Sequence, residues 1–198
     1  MANIRISFIG DSLIAGTGDP DFLGWPGRLS KAAAGRGHEV TCYNLGIRKD
    51  SSADILRRWR AEVEARIAKG QDNRLIFQFG VNDTKDEGGK LVVEPARAIG
   101  QARDILSSAT EWLPGLMVGP PPIEDDTRNS RIVDLSARLG ALCGELEIPY
   151  FDSFNGLRKT NTWSNAQCAG DGVHPVAAGY EIWAELIEAW HAWRAWVP

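Results

Sequence analysis

Cysteine and histidine are scarce in this chain, with three of each among 198 residues. Three cysteines are too few, and odd in number, for a disulfide framework, so we predict a reduced, cytoplasmic protein. No two cysteines or histidines stand at the spacing of a zinc site, which predicts that the chain has no metal centre. The residues concerned are Cys42, Cys143, Cys168, His38, His174 and His191.

Two further absences exclude classes of partner. Acidic residues outnumber basic ones by 26 to 22 and no basic stripe appears, so a nucleic-acid partner is not expected. No segment approaches the roughly 20 consecutive apolar residues that a membrane span needs. Met1 leads almost at once into an apolar run, without the charged and apolar regions of a secretory signal. We therefore expect a globular protein that is neither secreted nor membrane-spanning.

What the chain does contain is an alternation of short apolar runs with longer segments of helical periodicity. This pattern predicts a parallel sheet covered by helices on both faces, a single three-layer α/β/α domain over residues 1–198. For its five strands we predict the flavodoxin-like order 2-1-3-4-5. The predicted strands are residues 4–9, 38–45, 75–79, 116–118 and 148–151, and the predicted helices are residues 26–35, 51–68, 94–112, 128–147 and 175–196.

Polar side chains follow the ends of several predicted strands. Ser12 comes after the first strand, Asn82 after the third, and His174 lies in the loop after the fifth. In open α/β sheets the functional crevice lies beyond the carboxyl ends of the strands. Since the predicted order makes strands one and three neighbours, we expect Ser12 and Asn82 to face the same crevice.

Each of these residues has a chemical and a purely structural interpretation. A serine just past a strand can project its Oγ as a nucleophile, or it can simply belong to a turn. Asp171, three residues before His174, can fold back and orient the imidazole as a general base, or it can be a turn residue. The Asn82 amide can donate to a developing oxyanion, or it can follow the strand as part of an Asn-Asp turn.

Together these segments resemble the GDSL esterases and lipases, also called SGNH hydrolases. Four blocks carry the resemblance, in the order in which that family has them. They are Gly10-Asp11-Ser12-Leu13, the turn before Asp50-Ser51, Gly80-Val81-Asn82-Asp83, and Asp171-Gly172-Val173-His174-Pro175. The blocks span nearly the whole chain and fall at the predicted strand ends, so the resemblance implies an SGNH hydrolase fold.

The resemblance also implies roles. Ser12 would be the nucleophile, His174 the base and acid, and Asp171 the residue that orients His174. The oxyanion hole would combine the Ser12 backbone N–H, the Asn82 side chain and a backbone N–H of the second block. Such enzymes cleave small-molecule acyl esters or thioesters through an acyl-enzyme and need no cofactor.

The second block departs from the family pattern. Many members have a glycine immediately before the Asp-Thr or Asp-Ser pair, whereas this chain has Lys49 there and its nearest glycine, Gly46, three residues earlier. We expect the Lys49 N–H to complete the hole and keep Gly46 as the alternative. If the turn requires a positive φ, a lysine would cost on the order of 1 kcal/mol relative to glycine.

Other residues are candidates for the substrate pocket or for a partner surface. Trp25 and Trp163 lie in loops that could wall an acyl pocket or pack beneath it, and Arg48 could attract an anionic acyl donor. The last helix carries an apolar stripe typical of core packing. Trp196 and Val197 extend that stripe, which predicts a homodimer contact through this tryptophan-rich helix.

Three functions fit these patterns. The first is a serine esterase acting on small to medium acyl esters, because the chain has no room for a lid domain. The second is a carbohydrate O-acetyl esterase of the same family. The third is a non-catalytic, flavodoxin-like phosphate-binding module. The glycine-containing loop at residues 16–18 is too short to cradle a phosphate, and the acidic Asp19 follows it, which disfavours the third.

Overall fold

In the computed structural model, which describes residues 3–198, five parallel strands form one sheet. The strands are β1 (Asn3–Gly10), β2 (Glu39–Gly46), β3 (Asp72–Gln78), β6 (Gly115–Val118) and β7 (Tyr150–Phe151), and β4 (Asp86–Glu87) and β5 (Lys90–Leu91) form a separate hairpin. The order of the strands in the sheet is β2-β1-β3-β6-β7. The helices are α1 (Ser12–Ala15), α2 (Gly24–Gly35), α3 (Ser52–Glu64), α4 (Pro95–Thr110), α5 (Asp126–Glu145), α6 (Ser153–Leu157), α7 (Asn161–Cys168), α8 (Ala177–Glu188) and α9 (His191–Trp196), with a 3-10 turn at Asn82–Thr84.

The sheet confirms the predicted fold class and strand order. Strand β1 lies between β2 and β3 and pairs in parallel with both, so that Gly10 stands level with Gly46 on one side and Gln78 on the other. Its side chains alternate between two buried clusters, with Phe8 facing α2 and α8 and Ile9 facing α3 and α4. A central strand buried on both faces is what a nearly continuous apolar run requires.

Several boundaries differ from the prediction. Residues 153–168 were predicted as loop but contain α6 and α7, whose N-caps are Asp152 and Thr160. The predicted final helix is two helices, because the chain turns at Trp190 after α8 ends. This turn buries Trp193, whose Nε1 donates to Glu188 Oε2 at 2.7 Å.

The carboxyl-terminal residues pack within the chain rather than forming an exposed stripe. Val197 is fully buried, so the prediction that it extends a dimer surface is wrong: its side chain belongs to the core of its own subunit. Trp196 packs against Trp193 and lies under the Arg74 guanidinium. Dimerisation through this helix stays a prediction. No helix within residues 3–198 combines the length and apolar character required to cross a bilayer.

Candidate active site

Ser12 is the first residue of the one-turn helix α1, directly beyond the end of β1. The turn is tight because Gly10 lies against β3: a Cβ at this position would be 1.9 Å from the Gln78 carbonyl oxygen. Asp11 caps the helix by accepting a hydrogen bond from the Leu13 N–H at 2.9 Å. Gly16 ends the helix in the left-handed conformation that glycine adopts without strain. This local structure directs Ser12 to the carboxyl edge of the sheet.

His174 and Asp171 meet Ser12 at this edge. The His174 Nε2 atom lies 2.7 Å from Ser12 Oγ, although the two residues are 162 positions apart in sequence. On the other side of the ring, His174 Nδ1 lies 2.8 Å from Asp171 Oδ2. This linear arrangement can move the serine proton to the imidazole while the carboxylate stabilises the imidazolium.

Asp171 is held in place by its own backbone segment. Its Oδ1 accepts hydrogen bonds from the His174 N–H at 2.7 Å and the Val173 N–H at 3.0 Å. Partial burial acts to raise the pKa of this carboxyl, but the hydrogen bonds from His174 and Val173 outweigh it and lower the pKa to about 2. The carboxylate is therefore ionised over the whole neutral range.

Asn82 faces Ser12 across a cavity of about 240 Å³. It stands at the start of the 3-10 turn after β3, and its Nδ2 donates to the Asp50 carbonyl oxygen at 2.9 Å. A longer contact of 3.4 Å joins the same nitrogen to Asp11 Oδ2. We call this space the Ser12 cavity; its lining residues are Ser12, Arg48, Lys49, Asn82, Lys85, Glu87, Val92, Arg128, Val173 and His174.

Lys49 and Gly46 differ in their relation to this cavity. Lys49 lines it, and its φ of 71° is the left-handed conformation in which glycine would be favoured. Gly46 lies at the end of β2, where a Cβ would be 2.2 Å from the Ala15 nitrogen. Its N–H donates to Asn44 Oδ1 at 3.1 Å. Close packing against α1 thus explains this glycine without a role in an oxyanion hole.

Of the three predicted pocket residues, one lies at the cavity and two do not. Arg48 is exposed and lines the Ser12 cavity. For Trp25 and Trp163 the pocket interpretation is wrong and the packing alternative is correct, because the two residues are only 0% and 1% exposed and each packs against Trp183. Burial of such large apolar surfaces is more favourable than leaving them at a crevice wall.

Two arginines near the site were not predicted. Arg58 donates to the Gly10 carbonyl oxygen at 2.8 Å and to Asp50 at 2.6 Å, which joins the Ser12 turn to the second block. Arg128 donates to the Val81 carbonyl oxygen at 3.0 Å and lines the cavity. It stands in the first turn of α5, well past the end of β6, so no strand-end pattern in the sequence points to it.

Asp11 is a buried carboxyl directly behind the Ser12 turn. Burial raises the pKa of this carboxyl to about 7. The nearby charges of Asp83 and Asp50 also raise this pKa, whereas the Leu13 N–H and Arg58 lower it in part. Between about pH 4 and 7 the native state thus holds a proton that the unfolded chain has released. We expect the free energy of unfolding to fall with rising pH in this range, by up to about 1.4 kcal/mol per pH unit.

Replacing Asp11 with asparagine should remove this contribution, because the amide keeps an acceptor for Leu13 and does not titrate. Urea unfolding from pH 4.5 to 7.5 should give a shallower slope for Asp11→Asn than for the native chain. Asp104→Asn, an exposed change on α4, is the control. Equal slopes for Asp11→Asn and the native chain would contradict the raised pKa.

Among residues 3–198, no three His, Cys, Asp or Glu side chains are grouped as a metal site requires.

Solved structures of other proteins share the fold of this chain. A lipase/acylhydrolase from Enterococcus faecalis superposes with a TM-score of 0.72 at 22% identity, covering 94% of this chain and 93% of that one. The acetylxylan esterase Axe2 from Geobacillus stearothermophilus gives 0.76 at 19% identity, with the same coverage. TesA gives 0.71 at 22% identity, covering 93% of this chain and 96% of its own.

These identities are low enough that the superpositions show a shared fold alone. None of the curated proteins matches the sequence. The sequence model of the GDSL-like Lipase/Acylhydrolase family, in contrast, matches residues 8–182 and confirms the resemblance found in the four blocks. The chain therefore belongs to the GDSL-like lipase/acylhydrolase family of hydrolases.

Proposed function

We propose that this hydrolase cleaves small to medium acyl esters or thioesters, with Ser12 as nucleophile, His174 as general base and acid, and Asp171 as the residue that orients His174. The observation that supports it most is the 2.7 Å separation between His174 Nε2 and Ser12 Oγ, with Asp171 bonded to the opposite ring nitrogen. A nucleophile, a base and an orienting carboxylate in this order are the requirement for activating a serine hydroxyl.

The proposed reaction has two halves. Ser12 Oγ attacks the ester carbonyl carbon while His174 Nε2 takes the hydroxyl proton, and a tetrahedral oxyanion forms. His174 then returns that proton to the leaving alkoxide or thiolate, which departs as the acyl-enzyme forms. Water attacks the acyl-enzyme by the same route, releasing the carboxylic acid and restoring Ser12.

We assign the oxyanion hole to the backbone N–H groups of Ser12 and Lys49 and to Asn82 Nδ2. The Lys49 N–H has no acceptor among the described residues, which leaves it free for a ligand. Asn82 is held by the Asp50 carbonyl, so its amide is oriented before substrate arrives. A single preorganised donor of this kind is worth about 3–4 kcal/mol in the transition state.

A carbohydrate O-acetyl esterase is the second candidate, supported by the likeness to Axe2, an acetylxylan esterase. The non-catalytic phosphate-binding alternative has less support, because Asp19 at the glycine-containing loop is buried and paired with Arg28.

The test is an acyl-chain profile measured on 4-nitrophenyl esters from acetyl to dodecanoyl, together with acetylated sugars. We expect Ser12-dependent hydrolysis with a maximum at short or medium acyl groups. A maximum at acetylated sugars would select the carbohydrate esterase. The absence of hydrolysis for every ester and thioester, in a folded protein, would contradict the proposed function.

A further inference from the structure

The Ser12 cavity is lined by four cationic side chains, in a chain whose net charge is -4. The only carboxylate in its lining is Glu87, and this residue is already paired with Lys85 at 2.7 Å. The charge at the mouth of the cavity is thus opposite in sign to that of the whole chain. Such a local concentration of charge attracts ligands of the other sign. The four cations are Arg48, Lys49, Lys85 and Arg128.

Arg128 is the most constrained of these cations. Its guanidinium is half-buried, and the Val81 carbonyl oxygen is its only hydrogen-bond partner among the described residues. Its Nε is enclosed and bonds to no described group. Burial lowers the pKa of this group, the charge of Asp125 offsets part of that effect, and no described carboxylate lies within ion-pair distance of the guanidinium. A guanidinium that has lost water without gaining an ion pair is incompletely satisfied.

Arg48 is a second cation of the Ser12 cavity that lacks an anionic partner among the described residues. It is exposed, and among residues 3–198 no hydrogen-bond or ion-pair partner engages its guanidinium. It also lines an adjoining depression that contains the exposed ring of Phe22. Two guanidinium groups without an ion-pair partner among the described residues therefore line the cavity in which an ester at Ser12 would lie. Guanidinium groups bind carboxylate and phosphate in a bidentate way.

We propose that the preferred esters carry a carboxylate or phosphate group close to the scissile bond, and that Arg128, assisted by Arg48, binds it. This inference rests on the proposed esterase function and narrows its substrate class. The anion can belong to the acyl part or to the alcohol part of the ester. An anion on either part of the ester would bind the guanidinium groups in the same way. Substrates that carry the anion on only one part distinguish the two cases.

The main alternative is that Arg128 only holds Val81, and through it the neighbouring Asn82. A residue with that role alone would affect neutral and anionic esters to the same extent. A residue that binds the anion would act selectively on the anionic ester. The ratio of kcat/KM between an anionic ester and its neutral counterpart therefore distinguishes the two, because positioning effects cancel in the ratio.

The experiment uses two substrate pairs on the full chain. For the alcohol side, 4-acetoxybenzoate is compared with methyl 4-acetoxybenzoate. For the acyl side, mono-4-nitrophenyl adipate is compared with 4-nitrophenyl hexanoate. The variants are Arg128→Gln and Arg48→Gln. The matched control is Arg138→Gln, an exposed arginine on the same helix as Arg128 that pairs with Asp134.

We expect Arg128→Gln to lower the anionic-to-neutral ratio by about 10-fold to 100-fold in one pair, mainly through KM, as loss of a charged hydrogen bond would. Arg48→Gln should lower it less, and the control should leave it unchanged. Added salt should lower the ratio of the native enzyme. The pair that responds identifies the side of the ester that carries the anion.

Unchanged ratios in both pairs for Arg128→Gln and Arg48→Gln would overturn the proposal, even if all esters are hydrolysed. Failure of the esterase function itself looks different, since neutral esters would then not be hydrolysed at all. Because Arg128→Gln could unfold, Arg48→Gln provides an independent test on an exposed side chain without hydrogen-bond or ion-pair partners among residues 3–198.

Discussion

Replacing Ser12 with alanine is expected to abolish ester hydrolysis, with kcat falling on the order of 10⁴-fold to 10⁶-fold. The hydroxyl that lies 2.7 Å from His174 Nε2 is the only candidate nucleophile that this base contacts in the described structure. Without it, the proposed oxyanion donors would still polarise an ester, so a small residual rate should remain. The fold should persist, because the Asp11 cap and Gly16 stay in place.

Labelling with a fluorophosphonate measures the same residue directly. The native chain should be labelled once, and Ser12→Ala should not be labelled. Ser164→Ala is the matched control, because Ser164 is an exposed serine on α7 outside the Ser12 cavity. Equal labelling of the native chain and Ser12→Ala would remove Ser12 from the mechanism.

Replacing His174 with alanine should lower kcat by a similar factor, because Ser12 would lose the proposed base for its proton. Added imidazole should restore part of the rate, since the side chain that it replaces leaves space beside Ser12. His191→Ala, an exposed change on α9, should have the native rate. A His174→Ala enzyme that retains the native kcat would contradict the role of this residue.

Asp171 has to be removed by mutation rather than by acid. Since its pKa is lowered to about 2, the carboxylate becomes protonated only as the pH falls towards 2. A decrease in kcat/KM on acidification above pH 4 would therefore not be caused by protonation of Asp171. Asp171→Asn should lower kcat throughout the neutral range, by less than His174→Ala, because the side chain is 58% exposed and solvent screens part of its charge.

How far the sequence predicts this molecule depends on the range of each interaction. The strand order and the meeting of Ser12 with Asn82 followed from local patterns and from the rule that crevices lie at strand ends. Helices α6 and α7 also had local signals that were not used: Asp152 and Thr160 are typical N-cap residues. Their side chains accept hydrogen bonds from Asn155 and Trp163 at 3.0 and 3.2 Å.

The two arginines and the two buried tryptophans were beyond such patterns. Arg58 reaches Gly10 across 48 positions, and Arg128 reaches Val81 across 47, so neither contact has a sequence spacing that identifies it. The buried Nε1 of Trp163 donates to the Pro122 carbonyl oxygen at 3.2 Å, a partner that only the folded chain provides. Long-range contacts of single side chains are therefore what the sequence left undetermined.

Because Ser12 and His174 are 162 positions apart in sequence, this hydrolase is suitable for fragment complementation. Helix α8 docks on α2, and the Tyr180 hydroxyl donates to the Thr17 carbonyl oxygen at 2.7 Å, so distant parts of the chain close around the serine. A cut at the exposed hairpin tip, between Gly88 and Gly89, would leave the serine and the histidine on different polypeptides. Ester turnover would then report that two fused partners had brought the halves together.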